Sequence, residues 1–204
     1  MRLIVIRHGQ TPWNAQHRYQ GQSDTPLSAL GRAQAEAVGE RLAGEHLDAI
    51  YASDLQRARD TAMAIASRHG LTVHADPRLR EMAFGEWEGM TFAEMEAADP
   101  ERLAAWLDES TGVTPPAGES REALAARVAE ALAEIRARHP EQTVVLVAHG
   151  GTLMTLLVLA LNLPQTARWC FRIGHATVSE LHLHDDDTAV LALLNDGCHL
   201  EGLE

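Results

Sequence analysis

Leu3-Ile4-Val5-Ile6-Arg7-His8-Gly9-Gln10-Thr11 is the stretch on which the fold turns. Four consecutive apolar residues suit a strand buried on both faces, and such strands belong to parallel sheets covered by helices. The run is too short for a signal peptide and stops at Arg7, so the protein is expected in the cytoplasm. Its polar end places a histidine between an arginine and a glycine. The same pattern returns at Thr143–Ala148, which ends in His149-Gly150-Gly151.

Helical and strand signals alternate between these two runs. Ser28 is a good cap for a helix to about Ala43. Residues 47–51 form a second strand, and Ser53 or Asp54 caps a helix to about Arg68. Residues 71–75 form a weaker third strand. Thr91 and Glu94 have capping-box spacing, and Asp99-Pro100 starts a short helix. Leu124, Val128, Leu132 and Ile135 repeat at helical spacing between Ser120 and His139. A helix is expected from about Thr152. Residues 153–163, the greasiest stretch, fall short of the ~18 apolar residues of a span and read as a core helix. Thr177 to His184 alternates as a strand with one solvated face, and residues 190–194 form the last strand. The expectation is an α/β protein with a mostly parallel central sheet between helical layers. In such sheets ligands bind beyond the carboxyl ends of the strands, where His8 and His149 converge.

The 204 residues suit one domain, 1–204, with a helical cap inserted at about 90–120. Lys and Arg total 17 against 29 Asp and Glu, a net charge of −12. So acidic a chain repels nucleic acid and anionic membrane, so neither is an expected partner. A phosphate ester would need a local positive island. Cys170 and Cys198 lie in no metal-like spacing and read as free thiols.

A neutral His8 is a competent nucleophile if its other ring nitrogen is held by an acceptor, and Gly9 leaves room for a substrate to approach closely. Arg57, on the first turn of a helix after a strand, suits a phosphate, as does the helix start itself. Arg59 reads as solvated. A metal bound by His8 and His149 lacks a convincing third ligand. Expelling an alkoxide calls for a general acid, and a carboxyl among apolar neighbours serves. Glu81, Glu86 and Glu88 all qualify by composition. Trp87, Trp106 and Phe92 are candidates to roof the site or to pack in the core or cap, and Phe84, just past Glu81, is a candidate to meet substrate. His182 and His184 read as solvated, and His175 and His199 are ambiguous.

Together these residues resemble the histidine phosphatase superfamily, the phosphoglycerate mutase-like family, over nearly the whole chain. The blocks are Arg7-His8-Gly9-Gln10-Thr11 with Trp13-Asn14; Tyr19 to Ser28 with Gly31 and Gln34-Ala35; Ser53 to Thr61; Leu79-Arg80-Glu81 with Gly85-Glu86-Trp87-Glu88-Gly89; and His149-Gly150. Five blocks in order are highly specific. The resemblance implies a three-layer α/β/α sandwich with one antiparallel strand. It implies His8 as the phosphoryl acceptor, a pocket completed by Arg7, Arg57 and a protonated His149, and Glu81 as proton donor. Asn14, Gln20, Gly21 and Gly150 match substrate-site positions. No metal or other cofactor is implied.

The family holds hydrolases and mutases. Between Gly89 and Ser120 the only cation is Arg102, beside Glu94, Glu96, Asp99, Glu101, Asp108, Glu109 and Glu119, and the mutase-type insertion with paired arginines is absent. A phosphomonoesterase acting on a small phosphorylated metabolite therefore ranks ahead of a cofactor-dependent phosphoglycerate mutase. A non-catalytic phosphate-binding module ranks last, since His8, His149 and Glu81 are all present. A homodimer through an edge strand is a further expectation.

Overall fold

Leu3 and Val5 pack into one apolar cluster, Ile4 and Ile6 into another. That alternation makes β1 (Arg2–Arg7) the middle of three layers. The computed structural model describes residues 1–203; Glu204, the last residue of the expected 1–204 domain, lies outside the described residues. The other strands are β2 (Ala49–Ala52), β3 (Val73–Ala75), β4 (Thr143–Ala148), β5 (Val178–Leu183) and β6 (Ala189–Asp196). Their order is β3-β2-β4-β1-β5-β6. β1, β2, β3 and β4 pair in parallel, and β5 alone runs against its neighbours β1 and β6.

The helices are α1 (Pro12–Ala15), α2 (Ala29–Leu42), α3 (Gln56–His69), α4 (Phe92–Ala98), α5 (Pro100–Leu107), α6 (Arg121–Arg138) and α7 (Gly150–Ala160). α6 and α7 cover the face of Leu3 and Val5, α2 and α3 the face of Ile4 and Ile6. Ser28, Thr91 and Asp99 cap their helices as expected, and Ser120 caps α6. No helix among the described residues is long and apolar enough to cross a membrane.

Two helix starts depart from expectation for one reason. Neither Ser53 nor Asp54 caps α3; Asp54 pairs with Arg80 at 2.6 Å, and the Gln56 N–H donates to Asp24 at 2.7 Å instead. α7 begins at Gly150, before Thr152, because the Glu81 carboxylate accepts from the Gly151 and Thr152 N–H groups at 3.0 and 3.2 Å. Both acceptors come from distant sequence. The solvated face expected for β5 is also narrower: Val178 is buried under the α2–α3 layer, and His182 is exposed.

Candidate active site

β1 and β4 are in register, with Arg7 opposite Ala148, so the residues that follow, His8 and His149, reach one rim. Their ring centroids lie 5.1 Å apart. His8 is buried, and its Nδ1 lies 2.7 Å from the Gly9 carbonyl oxygen. A carbonyl only accepts, so Nδ1 carries the proton and Nε2 keeps its lone pair. Burial, with His149, Arg57, Arg7 and His175 nearby, holds His8 well below the ordinary histidine pKa. The ring is therefore neutral at neutral pH, with an Nε2 lone pair that a nucleophile could use.

Gly9 serves a different purpose from the one expected. A Cβ there would stand 2.3 Å from the Gly31 carbonyl of α2, and a Cβ on Gly31 would stand 1.9 Å from the Gln10 carbonyl. The two glycines let loop and helix touch; the space is filled by protein, not kept for substrate.

Arg57 is fully buried, and donates to the Gly21 and Ser23 carbonyls at 2.7 and 2.8 Å. Burial lowers its pKa to about 10, which leaves it charged at neutral pH. Arg7 donates to the Ile173 carbonyl at 2.9 Å. Arg7 Nε, Arg57 Nε and both nitrogens of His149 are buried without a partner among the described residues. Such groups are costly unless a ligand satisfies them. Arg59, read as solvated, is exposed. The protonated His149 is expected with a phosphoryl group in place; in the free protein burial, then Arg57 and Arg7, push its pKa well below the ordinary value, so it is neutral there.

The three glutamates separate cleanly. Glu88 braces the 20s loop, accepting from Gln22 N at 2.9 Å and Ser23 N at 2.8 Å, and Glu86 is exposed. Glu81 alone lines the cavity. Its surroundings are not the apolar neighbours expected, since its carboxylate caps α7 and also accepts from Met82 N at 2.9 Å. Arg127 of α6 fixes this segment, donating to the Arg78, Arg80 and Glu81 carbonyls at 2.7, 2.6 and 3.0 Å while paired with Glu119 at 2.7 Å.

A cavity of about 430 Å³ opens over these groups. Arg7, His8, Arg57, Glu81, Asn14, Gln20, Gly21 and Gly150 line it, and the His149 ring lies 5.1 Å from that of His8. Asn14 Oδ1 accepts from Thr11 N at 3.0 Å, and Gln20 Nε2 donates to Thr11 Oγ1 at 2.7 Å, so both also hold the loop.

Known proteins resemble this chain in both sequence and fold. The model of the histidine phosphatase superfamily (branch 1) matches residues 3–196. The chain belongs to the histidine phosphatase superfamily. It is 43% identical to the glucosyl-3-phosphoglycerate phosphatase of Mycobacterium tuberculosis over 193 residues, 90% of this chain and 86% of that one. It is 36% identical to phosphoserine phosphatase 1 of Hydrogenobacter thermophilus over 200 residues, 98% of this chain and 94% of that one. The solved alpha-ribazole phosphatase of Shigella flexneri superimposes with a TM-score of 0.89 at 33% identity, covering 96% of each chain.

Above the phosphatase floor, Trp87, Met95, Leu103 and Trp106 form a separate apolar cluster with Tyr19 and Phe84 against it. Phe84 meets Tyr19 edge-on at 5.0 Å and Trp106 at 6.0 Å. Phe84 lines the cavity as expected; Trp87 is cluster core, and Phe92 is 42% exposed and lines neither this cavity nor its extension. The extension, about 210 Å³ between Phe84, Trp106, Met154 and Trp169, adjoins the main cavity through Glu81.

Sequence reasoning left His175 ambiguous and did not single out Arg127 or Met154. His175 lines the cavity, 5.7 Å from the His8 ring. The direction of β5 explains this: it runs antiparallel to β1, so its beginning, not its end, meets the catalytic rim. His199, the other ambiguous histidine, lies 2.9 Å from the Ala176 carbonyl and does not line the cavity.

Proposed function

We propose that this phosphatase hydrolyses a small phosphate monoester in two steps through phospho-His8, without metal or cofactor. The observation that carries the reading is the set of orphan buried donors on Arg7, Arg57 and His149 around a histidine whose tautomer leaves Nε2 free. A phosphoryl group supplies the missing acceptors. Phosphoryl transfer needs chiefly such positioning and charge.

In the first step Nε2 of His8 attacks phosphorus in line. The P–O bond to the alcohol breaks, and Glu81 gives its proton to the leaving oxygen. Arg7, Arg57 and His149 hold the three non-bridging oxygens. His149 takes up its proton only as the anion arrives, since in the free protein burial and the two arginines keep it neutral. In the second step Glu81, now a carboxylate, takes a proton from water, whose oxygen attacks phosphorus. The N–P bond breaks, its electrons return to Nε2, and inorganic phosphate leaves.

The relatives named above act on different esters, so the shared chemistry is that of the phosphoryl group. In this chain the leaving alcohol would occupy the aromatic extension beyond Glu81, which favours a ring or apolar portion over a minimal alcohol. Residues at about 90–120 act as the cap that closes this side. A mutase needs cations for a second phosphate; residues 90–120 hold one, Arg102, which pairs with Asp99 at 3.6 Å and lines neither the cavity nor its extension, where Arg18, Arg121 and Arg168 stand instead. The reading places the enzyme in the cytoplasm, without nucleic-acid or membrane partners, and admits a homodimer through the exposed edge of β6, where Val190 and Leu194 face out.

His8→Ala tests it. Hydrolysis of p-nitrophenyl phosphate should fall on the order of 10⁴-fold or more, as when a nucleophile is removed elsewhere. Acid-labile label from a ³²P-labelled ester should be trapped on the native protein and not on the variant. Unchanged turnover would sink the proposal.

A further inference from the structure

We infer that His175 is an additional catalytic residue, its Nε2–H donating a hydrogen bond to the phosphoryl group while that group sits at His8. The inference rests on the phospho-His8 reading.

Three observations converge on this imidazole. It lines the cavity with its ring 5.7 Å from that of His8. Its Nε2 is buried without a partner, as are the donors of Arg7, Arg57 and His149 around the same ring. Burial, then Arg7, lowers its pKa to about 3, so it is neutral and can offer an N–H without adding a fixed charge to a site already holding two arginines.

A fourth observation is the backbone that carries it. Ala176 sits at φ 54°, in the left-handed region that costs a residue with a Cβ about 1 kcal/mol or more. The turn is braced from four directions. The Ala176 N–H donates to the Arg7 carbonyl at 2.9 Å, and His199 Nε2 lies 2.9 Å from the Ala176 carbonyl. The Gly174 N–H donates to Asn195 Oδ1 at 2.6 Å, and Arg7 itself holds the Ile173 carbonyl at 2.9 Å. A strained turn tied this firmly to the phosphate-binding arginine presents its side chain in one place. Strain of this kind gathers at functional sites. A histidine that only filled space at the rim would need neither the bracing nor an orphan nitrogen.

His175→Phe and His175→Asn separate a donor from a filler. Phenylalanine keeps the ring volume and loses the N–H; asparagine loses volume and keeps a donor. Each is compared with the native protein for p-nitrophenyl phosphate kinetics, inhibition by vanadate as a pentavalent mimic of the transferring group, and thermal midpoint. The expected result is a loss of kcat/KM of about 10- to 100-fold in His175→Phe, within the range for removing one transition-state donor. The same variant should show a matching rise in the vanadate inhibition constant. His175→Asn should recover most of both. Native values in His175→Phe, or losses in the two variants that track the thermal midpoint rather than the donor, overturn the inference. A native protein with no phosphatase activity, or an active His8→Ala variant, instead overturns the reading beneath it.

Discussion

The floor of the cavity buries charge and hydrogen-bond donors; its roof buries aromatic rings. The floor is set by strand ends. Parallel pairing of β1 with β4 fixes where His8 and His149 stand, and the antiparallel β5 adds His175 from the other direction. Its polar groups are held by backbone carbonyls, and what they lack is an anion. The roof is tied to the floor mainly through the 18–21 loop, where the Tyr19 N–H donates to the Met90 carbonyl and the Gly89 N–H to the Tyr19 carbonyl, at 2.9 and 2.8 Å. Its clustered side chains offer aromatic contact area, with Arg121 and Arg168 at the wall of the extension. On the proposed function, the floor dictates the reaction, and the roof selects what is attached to the phosphate.

Glu81 sits where floor and roof meet, and its removal is the strongest test of that division. Glu81→Gln should cut hydrolysis of an alkyl phosphate about 10²- to 10⁴-fold, the usual worth of general-acid catalysis. p-Nitrophenyl phosphate, whose leaving group departs as a stable anion, should lose far less in the first step. Equal losses for both esters, measured in single-turnover phosphorylation of His8, would break the assignment.

The two regions should also part under acid. His8, His149 and His175 are kept unprotonated by burial beside cations, whereas the unfolded chain binds protons near the ordinary histidine value of about 6.5. Below that pH the unfolded state holds more protons than the fold. Stability should thus fall as pH drops from about 6.5 toward 3, by up to about 1.4 kcal/mol per pH unit for each such histidine. Thermal midpoints at pH 8, 6.5 and 5 check this. A midpoint constant from 6.5 to 5 contradicts it, and millimolar inorganic phosphate should offset part of the fall.

Phe84→Ala should give the smallest effect and the most selective. Losing one edge-on aromatic partner is worth about 0.5–1.5 kcal/mol, which is roughly 2- to 12-fold in KM for an ester with a ring-bearing alcohol. Inhibition by inorganic phosphate, which touches only the floor, should not change. A shift in both constants would mean that the roof shapes the floor.

The same division explains what the sequence disclosed. The buried strands, the helix caps within three residues of their targets, and His8, Arg57 and His149 at element ends follow from local rules. So did the three-layer order once the strands were placed. The Gly89–Ser120 segment yielded its helices, because capping is local, and not its pocket, because that depends on how Phe84, Trp106 and Trp169 meet from separate segments. Asp24 and Glu81 as helix caps, and Arg127 as the clamp on Glu81, were hidden for the same reason: each acts across the fold. His175 needed the direction of β5. The choice of Glu81 among three glutamates came from family resemblance, and the geometry sorts them by what each carboxylate already holds.

The contact between Gly9 and Gly31 carries a consequence for how this enzyme can vary. Position 31 is on α2 and does not line the cavity, yet a methyl group there meets the Gln10 carbonyl two residues from His8. In a saturation library scored for turnover, position 31 should be as intolerant as the catalytic positions. Replacing both glycines together should rescue neither, since each added carbon meets backbone. The helix behind the nucleophile is thus a hidden constraint on the lineage: a site no substrate reaches, whose every substitution is read out at His8.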